Sequence, residues 1–135
     1  VLVIARGFFM VATEKQLNLN DILNADDTKT KRVDVPEWGG YVIIQTMTAE
    51  ARDRYELSLL AMDDNGQPTG RDMTNVRAKL VACCTLGPDG RPMFKNDDHV
   101  KVLGAKNSKA VDRIYDACQE LNKISDSEIE ELAGN

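Results

Sequence analysis

The stretch Val33-Asp-Val-Pro-Glu-Trp-Gly-Gly-Tyr-Val-Ile-Ile-Gln-Thr-Met47 constrains the fold more than any other part of the chain, because its apolar residues alternate while those on either side follow helical spacing. It reads as a β-hairpin over about 32–47, with Gly39 and Gly40 supplying the positive φ of a tight turn and Pro36 ending an edge strand. Val33, Val35, Val42 and Ile44 fall on one face and are the expected buried side. A two-stranded hairpin alone is marginal in water, so this one must lie on helices or join another sheet.

Helical spacing supplies that support. Leu19, Ile22 and Leu23 mark a short capped helix over about 20–25, expected to pack by that face. Thr48 caps a helix expected to run from Ala49 to Met62 with Ala51, Tyr55, Leu59 and Met62 as its stripe. The turn formers of Asp63–Asp72 predict a mobile surface loop. Val76, Leu80, Val81, Cys83 and Cys84 predict a central helix within Met73–Leu86, with both cysteines as packing residues. A turn follows at Gly87–Pro92. Asn96-Asp-Asp-His99 then caps a short helix holding Val100, Val102 and Leu103 and ended by Gly104. Behind Asn107-Ser108, the positions Val111, Ile114, Tyr115, Cys118 and Leu121 make the clearest amphipathic helix, reaching about Asn122. Ser125-Asp-Ser-Glu128 has capping-box spacing and Ile124 and Ile129 the positions of a hydrophobic staple, so a final short acidic helix is expected. The fold class is α+β, mostly helical, one hairpin on a small bundle. Residues 1–16 are expected to be a leader or disordered N-terminus and 17–135 a single domain.

Residues 1–9 read as translated leader ahead of a start at Met10, since Arg6-Gly7 can be encoded by a purine-rich run at ribosome-binding distance. The alternative is a short buried strand, Val1 to Ile4. The Val1–Ala12 apolar stretch, broken by Arg6 and Gly7, falls well short of the roughly 20 residues that span a bilayer.

Chemistry is sparse. With 22 acidic and 17 basic side chains the net charge is −5, and no basic cluster or aromatic platform favours nucleic acid. Three cysteines, two adjacent, form neither a disulfide framework nor a zinc pattern. The lone His99 has no motif around it. The pairs Asp26-Asp27, Asp63-Asp64 and Asp97-Asp98 lack the ligand spacing of an EF-hand loop and read as solvated or capping groups. No glycine-rich phosphate cradle occurs. No catalytic, cofactor or metal residue is therefore expected. What stands out is Pro36-Glu37-Trp38-Gly39-Gly40, with the sole tryptophan in a turn: Trp38 either folds back onto the helices or serves as a partner contact beside an edge strand.

The segments Val33–Val42 and Thr48-Ala-Glu-Ala-Arg-Asp-Arg54 resemble the tail assembly chaperones of long-tailed bacteriophages and prophages. So do the Asp21–Asp27 segment, the Asn75–Val81 helix, the Asp89-Gly-Arg-Pro-Met-Phe94 turn and the Val111–Tyr115 helix, in the same order over residues 19–132. Residues 1–9 have no counterpart in that pattern, and Gln45 stands where a basic residue is expected. The resemblance implies a non-enzymatic protein of the host bacterial cytoplasm that binds the tape measure protein, keeps it soluble, helps recruit tail-tube subunits and is absent from the mature virion. It also implies contact with the tail-tube protein mainly through a frameshift-extended product. Ala133-Gly134-Asn135 can be encoded by GCG-GGA-AAC, which contains the slippery heptamer G-GGA-AAC. Weak homo-oligomerisation is expected on grounds of avidity along one filament. A virion structural protein, such as a tail-tube or head-completion subunit, and a small metal-dependent enzyme are the alternative classes.

Overall fold

A computed structural model describes residues 15–124 and, as backbone, two short strands nearer the N-terminus. The elements are β1 (Leu2–Ala5), β2 (Phe8–Val11), α1 (Leu19–Leu23), β3 (Thr30–Val35), β4 (Gly40–Gln45) and α2 (Ala49–Ser58). They continue with β5 (Leu60–Met62), β6 (Pro68–Arg71), α3 (Val76–Cys84), β7 (Thr85–Leu86), α4 (Asp97–Gly104) and α5 (Ser108–Asn122). The fold is α+β. Among the described residues no helix is long and apolar enough to cross a membrane.

The central sheet has the order β3-β4-β7, antiparallel throughout. Register runs from Thr30↔Gln45 to Val35↔Gly40, which puts Val33, Val35, Val42 and Ile44 on one face as their alternation requires. Ile44 and Val35 are fully buried there, against the apolar side of α5. The third strand comes from Thr85 and Leu86, which pair with Ile44 and Ile43 after α3 ends. The sequence expectation kept both residues within the α3 segment, because a two-residue strand is too short to show a period. Thr85 is buried and its hydroxyl donates to the Val81 carbonyl at 2.7 Å, so the helix-to-strand switch leaves no orphaned hydroxyl.

Five side chains of α5 enter the core: Val111, Ile114, Tyr115 and Cys118, as their three-four spacing predicts, and Ala110, which the expected stripe did not include, while Leu121 of that stripe is only half-buried. They meet Ala78, Leu80, Val81 and Cys84 of α3. Asn107 caps α5, its side chain accepting from the Lys109 and Ala110 amides. The helix ends on Lys123 in the left-handed region (φ 56°), and Ile124 is then buried.

Several boundaries differ from expectation. Helix α2 stops at Ser58, four residues early, and the chain turns into a β5–β6 hairpin where a structureless loop was expected. Leu59 is fully buried, and its carbonyl accepts from the Asp72 amide at 2.8 Å, closing the base of that hairpin. At the tip, the Asp63 carboxylate accepts from the Asn65 and Gln67 amides, both at 2.9 Å, and Gly66 takes φ 77°. Met62, expected in the α2 stripe, lies on β5 and is exposed.

Helix α1 forms behind a reciprocal capping box between Asn18 and Asp21, but the apolar face expected to pack does not. Leu19, Ile22 and Leu23 are 69%, 59% and 69% exposed. The expected leader segment carries the antiparallel β1–β2 pairing, Leu2↔Val11 to Ala5↔Phe8. The capping box at Ser125–Glu128 and the staple partner Ile129 lie outside the described residues.

Candidate functional site

The β3–β4 connection is one turn of 3₁₀ helix, Pro36–Trp38. Proline suits its first position, having no amide to leave unbonded. Gly39 follows at φ 71°, donating its amide to the Pro36 carbonyl at 3.1 Å. The expectation of positive φ at both glycines is corrected here: Gly40 is not among the residues with positive φ and begins β4 as an ordinary extended residue.

Glu37 points back to the helical layer, where its two carboxylate oxygens accept from Arg113 Nε of α5 at 2.9 and 3.0 Å. Hydrogen bonding from its own backbone amide, and then the Arg113 guanidinium, hold its carboxyl below the usual carboxylate range. The turn is thereby tied to the helix beneath the sheet. Trp38 is 40% exposed, so the turn covers part of the indole and leaves the rest to solvent. Tyr41 stands nearby on β4, 54% exposed, opposite Asp34. The Arg32 guanidinium lies 3.9 Å from the Tyr41 ring centroid, and Arg32 Nε donates to Asp34 at 2.9 Å. The hairpin thus presents two partly exposed aromatic residues, Trp38 and Tyr41, the latter held by Arg32. Tyr41 and Arg32 were missed in the sequence; the signal available was the alternation that puts Arg32 and Asp34 opposite Val33 and Val35, and Tyr41 opposite Val42, on the outer face.

A second concave feature has no counterpart in the sequence expectation. A groove of about 1020 Å³ runs between α2, α3 and the segment 92–101. Met47, Ala51, Ala82, Cys83, Phe94 and Val100 supply its apolar lining, and Arg54, Lys79, Lys95 and Lys101 its basic groups. These residues come from three separate stretches, 47–54, 79–83 and 94–101, so only the tertiary fold assembles them. At the Met47 end, the Asn122 carboxamide oxygen accepts from the Met47 amide at 2.8 Å, while its nitrogen donates to the Cys118 carbonyl at 2.9 Å.

The remaining candidates have structural roles. His99 is exposed; its Nδ1 accepts from the Lys95 amide at 3.1 Å and its own amide donates to the Asn96 cap. Asp97 and Asp98 occupy the first turn of α4, where carboxylates oppose the helix dipole. Among the described residues no group of three or more His, Cys, Asp or Glu side chains gathers as a metal site would require. Cys84 and Cys118 are fully buried, with the Cys118 thiol hydrogen-bonded to the Cys84 sulfur, which together with burial pushes Cys118 up. Burial pushes the half-buried Cys83 thiol up to about 11, away from nucleophilic use at neutral pH.

No family model matches this sequence, and no curated protein matches it. Among solved structures, the fold is that of a bacteriophage tail assembly chaperone. The structure in question is the tail assembly chaperone of bacteriophage HK97, which superposes with a TM-score of 0.53 at 20% sequence identity, covering 80% of this chain and 96% of that one. The resemblance carried by the short motifs of residues 19–132 therefore extends to tertiary structure.

Proposed function

We propose that this protein is a tail assembly chaperone: it binds the tape measure protein in the host bacterial cytoplasm, keeps it soluble and helps recruit tail-tube subunits during virion assembly, and it is absent from the mature virion. The observation that carries this reading is the shared fold, spanning nearly the whole length of the phage chaperone. The physical properties agree. A binding protein needs exposed apolar and aromatic groups on a stable scaffold. Trp38 and Tyr41 on the hairpin, and Leu19, Ile22 and Leu23 on α1, meet that need. The turn Pro36-Glu37-Trp38-Gly39-Gly40 is the candidate contact, held in place by the Glu37–Arg113 pair. Contact with the tail-tube protein belongs mainly to a frameshift-extended product, for which the nucleotide sequence at codons 133–135 is the test.

Co-expression with the tape measure protein, followed by size-exclusion chromatography with light scattering, tests the function. Rescued solubility and co-elution are expected, with Trp38→Ala weakening both while the free protein stays folded. A tape measure protein that precipitates while this protein elutes alone overturns the reading. Persistence of this protein in purified particles favours the virion structural class instead.

A further inference from the structure

Strand β3 is the outer strand of its sheet: the order is β3-β4-β7, and no described residue pairs with the side of β3 turned away from β4. The ladder fixes which groups lie on that side. The Thr46 amide donates to the Lys29 carbonyl at 2.9 Å, so the odd-numbered residues of β3 exchange hydrogen bonds with β4, and the amides and carbonyls of Thr30, Arg32 and Asp34 point outward. All three residues are exposed, and none of these backbone groups has a hydrogen-bond partner among the described residues. The opposite edge of the sheet is closed: the Thr85 carbonyl accepts from the Met93 amide at 3.1 Å, and Gly87 donates to the Arg91 carbonyl at 2.7 Å.

An open edge is a template for a further strand, and charged side chains on it ordinarily repel one. Here the charges alternate in sign along the edge itself. Arg32 and Asp34 lie two positions apart on the outer face, where Arg32 Nε donates to Asp34 Oδ1 at 2.9 Å. That bond leaves Asp34 Oδ2 and the two terminal guanidinium nitrogens without a hydrogen-bond partner among the described residues. Only residues whose backbone groups point outward can exchange bonds across a new antiparallel junction, so an even-numbered residue must meet an even-numbered one. A two-fold axis through Val33 then sets Arg32 opposite Asp34 of the second copy, and Asp34 opposite its Arg32. The neighbouring registers are worse. An axis through Arg32 sets two guanidinium groups against each other, one through Asp34 sets two carboxylates together, and one through Lys31 carries Asp34 past the start of β3. In the favoured register the two copies of Val33, each 8% exposed, also meet as a close, non-hydrogen-bonded pair on the core face. Beyond Asp34 the ladder ends, because Pro36 has no amide and its carbonyl is taken by Gly39.

We propose that β3 is a self-complementary docking edge for a second copy of this chain, which joins antiparallel about Val33 and merges the two β3-β4-β7 sheets into one, with Arg32 and Asp34 paired reciprocally across the junction. The contact is isologous and closes at a dimer. Each Arg32–Asp34 pair supplies main-chain bonds and an exposed charge pair, so the association is weak and salt-sensitive. It rests on backbone geometry and not on the chaperone reading, and its test involves no partner protein.

Sedimentation equilibrium of the unmodified protein from about 10 µM to about 1 mM is expected to show a mass rising from 15.0 kDa toward twice that value, with affinity at least threefold lower in about 1 M NaCl. Hydrogen exchange followed by NMR locates the contact. The Arg32 and Asp34 amides are expected to slow at least fivefold between the two concentrations, while those of Val33 and Val35, bonded to β4, and of Thr30, which meets Pro36, do not change. Arg32→Asp weakens dimerisation at least fivefold, and Arg32→Asp with Asp34→Arg restores it to within twofold. Only the reciprocal register gives this restoration, because an axis through either residue keeps like charges opposed after the swap. A chain that stays monomeric at the higher concentration, or a dimer whose Arg32 and Asp34 amides exchange at concentration-independent rates, overturns the proposal. So does a charge swap that fails to restore association in a protein whose circular dichroism matches the parent.

Discussion

Replacing Asn122 with alanine tests the packing of the whole C-terminal half, because this one carboxamide ties α5 to the β4–α2 junction. Its oxygen accepts from the Met47 amide at 2.8 Å, across 75 positions of sequence. Its nitrogen donates to the Cys118 carbonyl at 2.9 Å and touches the Cys84 sulfur at 3.5 Å. In Asn122→Ala the part-buried Met47 amide loses this acceptor, which costs about 1–3 kcal/mol. The lost contacts to Cys118 and Cys84 add little, since sulfur is a weak acceptor and the carbonyl belongs to a helical turn. Alanine returns a few tenths of a kcal/mol through better helix propensity, diminished at the helix end. The net expectation is a destabilisation of about 2 kcal/mol, a shift of about 1 M in the urea midpoint for a slope of about 2 kcal/mol/M. Asn122→Asp keeps the acceptor to Met47 but sets a carboxylate oxygen against the Cys118 carbonyl in place of the donor, so at neutral pH it too should destabilise, and it should recover stability as the carboxyl is protonated. Urea unfolding followed by circular dichroism measures both. An alanine variant within about 0.5 kcal/mol of the parent refutes the role assigned to the Met47 bond.

Three further perturbations have definite signs. Tyr55 is fully buried, its hydroxyl has no hydrogen-bond partner among the described residues, and burial raises its pKa well above the usual value. Tyr55→Phe should therefore leave the urea midpoint unchanged or raise it, by up to about 1 kcal/mol of stability; a loss of that size would show that the hydroxyl is satisfied. The Glu37 carboxyl titrates below the usual glutamate range, so its stabilising contribution is present above the unfolded value and is lost as pH falls through the folded pKa. Glu37→Gln should lower the melting temperature at pH 7 and lose that deficit as the pH falls through the folded pKa of Glu37; a deficit that persists in strong acid would rule out the charged pair with Arg113 as its cause. At the turn, Gly39→Ala forces a side chain into the left-handed region and should cost about 1 kcal/mol, whereas Gly40→Ala should be nearly neutral. Equal thermal shifts for the two would contradict the turn geometry.

Period and punctuation carried far in this chain. Alternation over 33–47 was enough to place the hairpin and its buried face, and three-four spacing placed α5 with four of its five core residues. The caps at Thr48, Asn96 and Asn107 were readable because capping is a local bond between neighbours in sequence. The candidate turn was legible as well, since a tryptophan beside two glycines is unusual composition for a connection. Its anchor Arg113 was not, because a pairing across 76 positions is not encoded by spacing.

The tertiary structure decided everything that depends on who stands opposite. Strand β7 exists only because β4 offers an unpaired edge to Thr85 and Leu86, and α2 ends where Leu59 is drawn into the core and Asp72 closes on it. The same spacing that buries α5 leaves α1 exposed: an amphipathic stripe states which face is apolar, while burial needs a surface to receive it. The groove is the clearest case, because its apolar lining and its basic side chains come from stretches whose sequences give no sign that they meet. Local physics determined the elements and their caps; long-range packing alone determined the edges, the exposed faces and the groove.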